Sequence, residues 1–494
     1  MDIRDRYAPS PTGLQHIGGI RTALFNYLFA KAKNGTFVLR LEDTDRSRYD
    51  DVFTDNLYDT FKWLNFSWDE GPDIGGPYKP YIQSERVALY KAYAEKLVES
   101  GRAYYCFCSS ERLDALRKEK EAAHSPETGY DRLCGNIDRT EAAARAKKEA
   151  HTIRLKIPLG ETTRFTDILL GEIEWKNDDI NPDPVLLKSD GFPTYHLANI
   201  VDDHLMNITH VLRAQEWLSS TPMHVILYKA FGWEAPAFCH LPMVMGQDGK
   251  KLSKRHGATS INEFRKNGYL PEALINYIAL LGASYEEGKE IYTLKDLAER
   301  FSLDKLNKAP AIFDYKKLEW YNAQYIKMSS DENLAALALP FAIEMNLFGS
   351  GALGPTEKQK ELFIKAMPLV KERALLLPEI PQKIAYLFSA PVPAPPDEFI
   401  PKKSNLASAI KLLQMGSDII QEMAEEDDEG AEKIAKAKAE KEGVKLGDLL
   451  MPLRVAITGG RVSPPLFLSV RLLGADICGQ RIQYSLESLR KEKV

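Results

Sequence analysis

The segment PSPTGLQHIGG, residues 9–19, stands directly before the amphipathic run IRTALFNYLFAKAKNG and constrains the fold more than any other feature of the chain. Its two prolines exclude a helix upstream, so the helical run must open near Gly18 and Gly19, which place no side chain at its mouth. A ligand can then approach the free N–H groups of the first turn, where the helix dipole favours an anion. His16 stands at that rim as a donor. Taken alone, the stretch also reads as a proline-containing loop with a capping histidine and nothing bound. Its spacing is neither G-x-x-x-x-G-K-[ST] nor G-x-G-x-x-G.

A second segment answers the first. Lys251-Leu252-Ser253-Lys254-Arg255 follows a flexible MGQDG and puts three cations within five residues. Long cationic side chains beside glycine can close over a triphosphate as negative charge moves onto departing pyrophosphate. A basic loop by itself is usually surface decoration; paired with the histidine–glycine entrance it becomes specific.

The chain's 494 residues allow several domains, and 44% hydrophobic with 27% charged residues is a soluble, globular balance. No apolar run approaches a membrane span, and MDIRDRYAPS resembles neither a secretory signal nor a transit peptide, so a cytoplasmic protein is expected. Five cysteines in so long a chain fit a reducing compartment better than a disulfide framework. A net charge of −5 draws no polyanion globally, so nucleic acid must be held by local patches such as GKKLSKRH (249–256) and KKLEWYNAQYIK (316–327). EEDDEG (425–430) reads as a solvated loop leading into an exposed helix.

The first ninety or so residues read as loop, helix, strand, helix, with TFVLRLEDTD a strand whose end delivers carboxylates and DDVFTDNLYDTFKWLN a helix. From Tyr104 the texture changes: close cysteines, the polar stretch RKEKEAAHSPETGYDRLCG, then strand-like HTIRLKIPLG and TTRFTDILLGEIEW. PVLLKSDGFPTYHLANIVDDH returns to strand–turn–helix, so an α/β fold with an inserted domain is expected. From about residue 325 the periodicity is helical, and the prolines of SAPVPAPPD (389–397) are expected to separate two packed units.

HIGG and KLSKR resemble the HIGH and KMSKS signatures of class I aminoacyl-tRNA synthetases. RYAPSPTG, RLEDTD, DEGPDIGGPYKPYIQSER, LLKSDGFPTYHLANIVDDH, RAQEW, FGWEAP and KLGDLLMPLRVAITG extend the resemblance, over nearly the whole chain, to the bacterial glutamyl subgroup. It implies a Rossmann-type parallel-sheet catalytic domain in two halves, 1–97 and 189–245, around an α/β insertion, 98–188, that binds the acceptor stem. The KLSKR loop and a helical stem-contact domain, 246–328, would follow. An all-helical anticodon-binding region, 329–494, split near 390–397, would close the chain.

By the same resemblance His16, Gly18 and Gly19 would face ATP, with Lys251, Ser253 and Lys254 on its phosphates. The chain departs from the family pattern at Gly19, where a second histidine would stand, and at Leu252 and Arg255. Arg6 and Arg213 would contact the carboxylates of L-glutamate, a task suited to the planar guanidinium fork. Glu42 would take the ammonium, and Ser10, Tyr195 and Asn199 the polar remainder. Asp43 and Asp45 read as capping and structural groups rather than Mg²⁺ ligands. Mg²⁺ is expected with ATP, and no residue has to act as a covalent nucleophile. Cys106, Cys108, Tyr130 and Cys134 match the family's C-x-C…Y-x-x-x-C form and imply a structural Zn²⁺; three reduced, unliganded thiols are the alternative. Cys239 and Cys478 read as packed thiols.

Arg373, in PLVKERALLLPEI, falls where the family's anticodon-discriminating arginine lies, which implies an enzyme charging tRNA(Glu) and refusing tRNA(Gln); a monomer is expected. A non-discriminating enzyme charging both is the near alternative. A glutaminyl enzyme would carry a β-barrel-like anticodon region, a tRNA-independent nucleotidyltransferase would not need residues 255–494, and a non-catalytic RNA-binding protein would be expected to have lost His16 or Lys254.

Overall fold

The first strand is one that the sequence conceals. In the computed structural model, which describes residues 2–124, 129–349, 354–391 and 394–491, the charged segment Arg4–Tyr7 (β1) pairs in parallel with Thr36–Leu39 (β2), Arg4 opposite Thr36 and Tyr7 opposite Leu39. Its charges are compensated: Arg4 makes two 2.8 Å bonds to Glu70, and Arg6 reaches Asp203 at 3.0 Å. Between the strands runs helix α1, Ile17–Ala32. It is buried on most sides, Ile20, Leu24, Phe25 and Leu28 included, rather than amphipathic, because it packs on both β strands and on a later helix. Asn26 donates from α1 to the Leu212 carbonyl at 3.1 Å.

The chain divides into two compact units, Met1–Phe264 with Leu274–Tyr315, and Arg265–Ala273 with Lys316–Val494. In the first, helices α2 (Asp51–Leu64) and α3 (Val87–Glu99) lead to β3 (Ala103–Cys106), α4 (Ser110–Ala122), α5 (Arg139–Ala146), β4 (Thr152–Leu155), β5 (Thr162–Asp167), β6 (Gly171–Lys176) and β7 (Val185–Leu187). Strands β3, β4 and β7 form an antiparallel sheet. Then come α6 (Tyr195–Leu205), β8 (His210–Ala214), α7 (Thr221–Phe231), β9 (Ala237–Leu241) and the short β10 (Val244–Met245). β8 and β9 are parallel, and Thr209, just before β8, exchanges bonds with Arg4, so the β1–β2 pair lies beside β8. The β5–β6 hairpin, which sequence reasoning assigns to the insertion, extends this sheet: Asp167 pairs with Phe238 of β9 in parallel. Apolar residues of α3, β4, β7, α6 and α7 share one core around Leu97, Leu155, Leu186, Leu197 and Leu227.

Residues 125–128, within the polar stretch, and 392–393, within the proline cluster, lie outside the described residues, as does the side chain of Lys254. The second unit is helical, from Asp331–Glu344 to Ala475–Lys491. Apolar residues on both sides of the proline cluster, such as Ile384 and Leu387 before it and Phe399 and Leu413 after it, pack into one continuous core. The helix after the acidic block, Asp428–Lys441, is capped by Asp427 and buries Ala431, Ala435 and Ala439 as a single stripe.

Candidate active site

The C-terminal ends of β1, β2, β8 and β9 open toward one cavity of about 1340 Å³, where open parallel sheets place their ligands. Both sequence signatures line it, although they are more than 200 residues apart: His16, Gly18 and Gly19 on one wall, Lys251 and Ser253 on another. Backbone bonds from Ile17 N to Thr259 O (3.0 Å) and from Ile261 N to Gln15 O (3.0 Å) stitch the helix mouth to the chain just beyond KLSKR.

At that mouth the free amides are fewer than the sequence suggests. Ile17 N–H is taken by Thr259, and Gly19 N–H by His16 Nδ1 at 3.2 Å, whereas Gly18 N–H has no acceptor among the described residues. His16 is the N-cap of α1, so its proton is left on Nε2. Burial, and then the charge of Lys251, push its pKa below the ordinary histidine value, so the ring is a neutral donor. Gly19 has a steric reason: a Cβ there would lie 2.9 Å from the Tyr7 hydroxyl, which is bonded to Gln15 Oε1 at 2.9 Å.

The cationic loop is held by its own acid. Asp248 receives the Lys250 N–H at 3.0 Å and faces Arg255 at 3.3 Å and His256 at 3.1 Å. Ser253 Oγ lies 3.2 Å from His256 Nδ1. Lys251 forms an ion pair with Glu216, and both side chains line the cavity.

On the opposite side a buried charge cluster supports the cavity. Arg40, fully buried, reaches Asp203 at 2.8 Å, Glu42 at 3.1 Å and Asn199 at 3.0 Å. Arg6 shares Asp203 and Asn199 with it but lines the cavity, and no acceptor engages its Nη1 among the described residues. Glu42 also faces the cavity; burial pushes its pKa up to about 7 against the pull of Arg40 and Arg6. Asn199 stands behind the wall, joining Arg6 and Arg40 to the Tyr195 hydroxyl (3.2 Å). Ser10 and Tyr195 line the wall, the tyrosine ring 4.1 Å from that of Trp217.

Arg213, on β8, differs from both other arginines. It is 5% exposed, and its donors go to neutral groups: His240 at 3.0 Å, His224 at 3.2 Å, Tyr195 at 3.3 Å and Thr221 at 2.8 Å. No carboxylate pairs with it among the described residues, and burial draws its pKa down. A buried cation without a direct counter-ion, facing a cavity, carries an uncompensated desolvation cost.

Known proteins match this arrangement. A model of the class I tRNA synthetase (E and Q) catalytic domain matches residues 2–320, and one of an anticodon binding domain matches 333–486. The glutamate–tRNA ligase of Treponema denticola is 56% identical, over 98% of this chain and 99% of that one. That of Borreliella burgdorferi is 50% identical over 99% of both. A crystal structure of a glutamate tRNA ligase from Elizabethkingia meningosepticum in complex with its amino acid is similar at a TM-score of 0.89 and 35% identity, covering 99% of this chain and all of that one. The chain belongs to the glutamate–tRNA ligase family.

Asp43 receives the Ser84 N–H at 2.7 Å, and Asp45, on the cavity wall, pairs with Arg48, which also lines the cavity. In the insertion the thiols of Cys106, Cys108 and Cys134 lie within 4.8 Å of one another. The Tyr130 hydroxyl is 3.4 Å from Cys106 and 3.7 Å from Cys108. The Phe107 N–H donates to Cys134 Sγ and Arg112 to Cys108 Sγ, each at 3.4 Å, the outer bonds a metal-bound thiolate uses. In the second unit Arg373 lies in a turn after Met367–Val370, exposed, donating to the Ser463 carbonyl at 3.2 Å; Arg454 bonds the same residue. Among the described residues no helix is long and apolar enough to cross a membrane.

Sequence reasoning missed Arg40, Asp203, Asp167, His224, His240 and Trp217. Arg40, Asp203 and Trp217 sit inside quoted motifs, RLEDTD, LANIVDDH and RAQEW, where an unassigned charged or aromatic residue was a usable signal. Asp167, His224 and His240 come from separate segments: β5 and β9 bring Asp167 to His240, and α7 brings His224 to Arg213.

Proposed function

We propose that this chain activates L-glutamate with MgATP and transfers it to tRNA(Glu), discriminating against tRNA(Gln). The observation that carries this is the shared cavity: a helix mouth with one open amide and a neutral histidine donor, a cationic loop, and a buried guanidinium with no carboxylate partner among the described residues.

In the first step the α-carboxylate oxygen of glutamate attacks the α-phosphorus, the Pα–O–Pβ bond breaks, and pyrophosphate leaves. Gly18 N–H and His16 Nε2–H bind phosphate oxygens, and Lys251, released from Glu216, meets the charge growing on pyrophosphate together with Ser253 and Lys254. Gly19 keeps the backbone open to the nucleotide. Arg213 and Arg6 hold carboxylates, Glu42 takes the ammonium, Ser10 and Tyr195 complete the wall, and Asn199 orients Arg6 and Tyr195 from behind. In the second step a terminal ribose hydroxyl of tRNA attacks the adenylate carbonyl and AMP leaves.

Cys106, Cys108, Cys134 and Tyr130 fit Zn²⁺ as a closed structural site, which would cross-link the insertion. The enzyme is read as a cytoplasmic monomer, with the helical unit binding the anticodon through stacking and guanidinium contacts.

Aminoacylation with ¹⁴C-glutamate, run in parallel on purified tRNA(Glu) and tRNA(Gln), tests the reading. Charging of tRNA(Glu) alone, lost in Lys254→Ala, is expected. Charging of both would make the enzyme non-discriminating, and pyrophosphate exchange followed by no charging of either tRNA would replace the ligase with a nucleotidyltransferase.

A further inference from the structure

Behind Arg213 lie three histidines whose protons are fixed by the two ends of their chain. A guanidinium can only donate and an ionised carboxylate can only accept. Asp167 meets donors alone: the N–H groups of Leu169 (3.0 Å), Leu170 (2.9 Å) and His240 (3.0 Å), and the His240 ring at 2.7 Å. His240 Nδ1 therefore carries the ring proton, and the Nε2 lone pair receives Arg213 Nε at 3.0 Å. On the other branch Arg213 Nη1 meets His224 Nδ1 at 3.2 Å, so the His224 proton is on Nε2, directed at His196 Nδ1 3.0 Å away. Asp167, Thr221, His224 and His240 are each at most 1% exposed. A second proton on His224 or His240 would set N–H against N–H. The cradle thus holds the fork by several bonds and puts only neutral groups in contact with it, the charge of Asp167 standing one imidazole away. Arg6 and Arg40, by contrast, are already paired with Asp203.

We propose that His240, fixed by Asp167, and His224, fixed by His196, are positioning residues that set amino-acid selectivity: they hold the Arg213 fork rigid and leave its charge to the substrate carboxylate, so that the isosteric neutral amide is refused. Had a carboxylate buttressed Arg213, its charge would be spent and glutamine would bind nearly as well as glutamate. The amide also turns an N–H₂ toward a group that only donates. This inference rests on Arg213 receiving a substrate carboxylate.

The test is steady-state aminoacylation of tRNA(Glu), with glutamine as competitor and thermal unfolding as the check on folding. His240→Phe keeps a planar ring, somewhat larger, and removes the acceptor. It is expected to raise KM for glutamate about tenfold, change kcat less than about threefold, leave KM for ATP unmoved and lower the preference for glutamate over glutamine. His240→Gln, whose amide oxygen can reach the Arg213 Nε bond, is expected to restore most of the loss. A folded His240→Phe with wild-type KM and selectivity overturns the proposal, as does a His240→Gln no better than His240→Phe. Should His240→Phe not fold, Thr221→Val, which removes the nearer Nη2 acceptor and the Oγ 3.0 Å from His240 Nε2, decides: a raised glutamate KM supports the cradle and an unchanged one refutes it. Arg213→Gln separates the two layers. If it leaves the glutamate KM unchanged, the carboxylate assignment and the inference fall together; if it raises KM while His240→Phe does not, the positioning role alone falls.

Discussion

Glu42 is the side chain whose chemistry depends most directly on its setting. A carboxyl with a pKa near 7 is half ionised at neutral pH, yet only its anion can pair with a substrate ammonium. Ammonium binding favours the ionised form, so acid works against binding. KM for glutamate should therefore rise as pH falls through 7, approaching tenfold per unit below it, and Glu42→Gln should show a raised KM without that inflection. Aminoacylation kinetics between pH 5.5 and 8.5 (about three pH units) give the measurement. Glu42 was readable from its place at a strand end. Arg40 and Asp203, which set its surroundings, were not, because burial and pairing across 163 positions are properties of the folded sheet.

At the scale of elements, the mouth of α1 shows what a local pattern does and does not encode. The two prolines and two glycines announce the helix start correctly, and the cap by His16 follows from it. The reason for Gly19 comes from another element, since β1 brings Tyr7 into the space a side chain would need. Gly19→Ala should displace the Tyr7 hydroxyl from Gln15, costing about 1–2 kcal/mol by losing a buried hydrogen bond, and should raise KM for ATP. Adding Tyr7→Phe should relieve part of both effects, a non-additivity that thermal unfolding and ATP titration would measure. β1 itself escaped notice because RDRY looks like solvent-facing sequence until Glu70 and Asp203 are placed beside it. The sulfur cluster of the insertion was legible because its residues are close in sequence as well as in space. Protein purified from zinc-containing medium should hold about one equivalent of zinc, and Cys108→Ser should lose it.

At the scale of the whole molecule, the order of α/β catalytic part, insertion and helical remainder was legible from changes of periodicity, which report how each segment buries its apolar face. Two seams were not. Prolines 391, 395 and 396 do not part the helical unit, because helices on both sides of them share one core. Arg373 lies in a turn rather than on a helix face, and the Ser463 carbonyl that restrains it comes from 90 residues away. Replacing Arg373 with Gln should raise the ratio of tRNA(Gln) to tRNA(Glu) charging about tenfold or more while leaving KM for glutamate within about twofold, as initial rates on the two purified tRNAs would register. The other seam has a wider consequence. Since β5 is bonded into the sheet at Asp167, residues 98–188 are no detachable cassette. A chimera that exchanges that whole block between relatives also swaps an outer strand of the sheet and the Asp167 that fixes His240 behind Arg213, so altered substrate choice in such a hybrid need owe nothing to RNA.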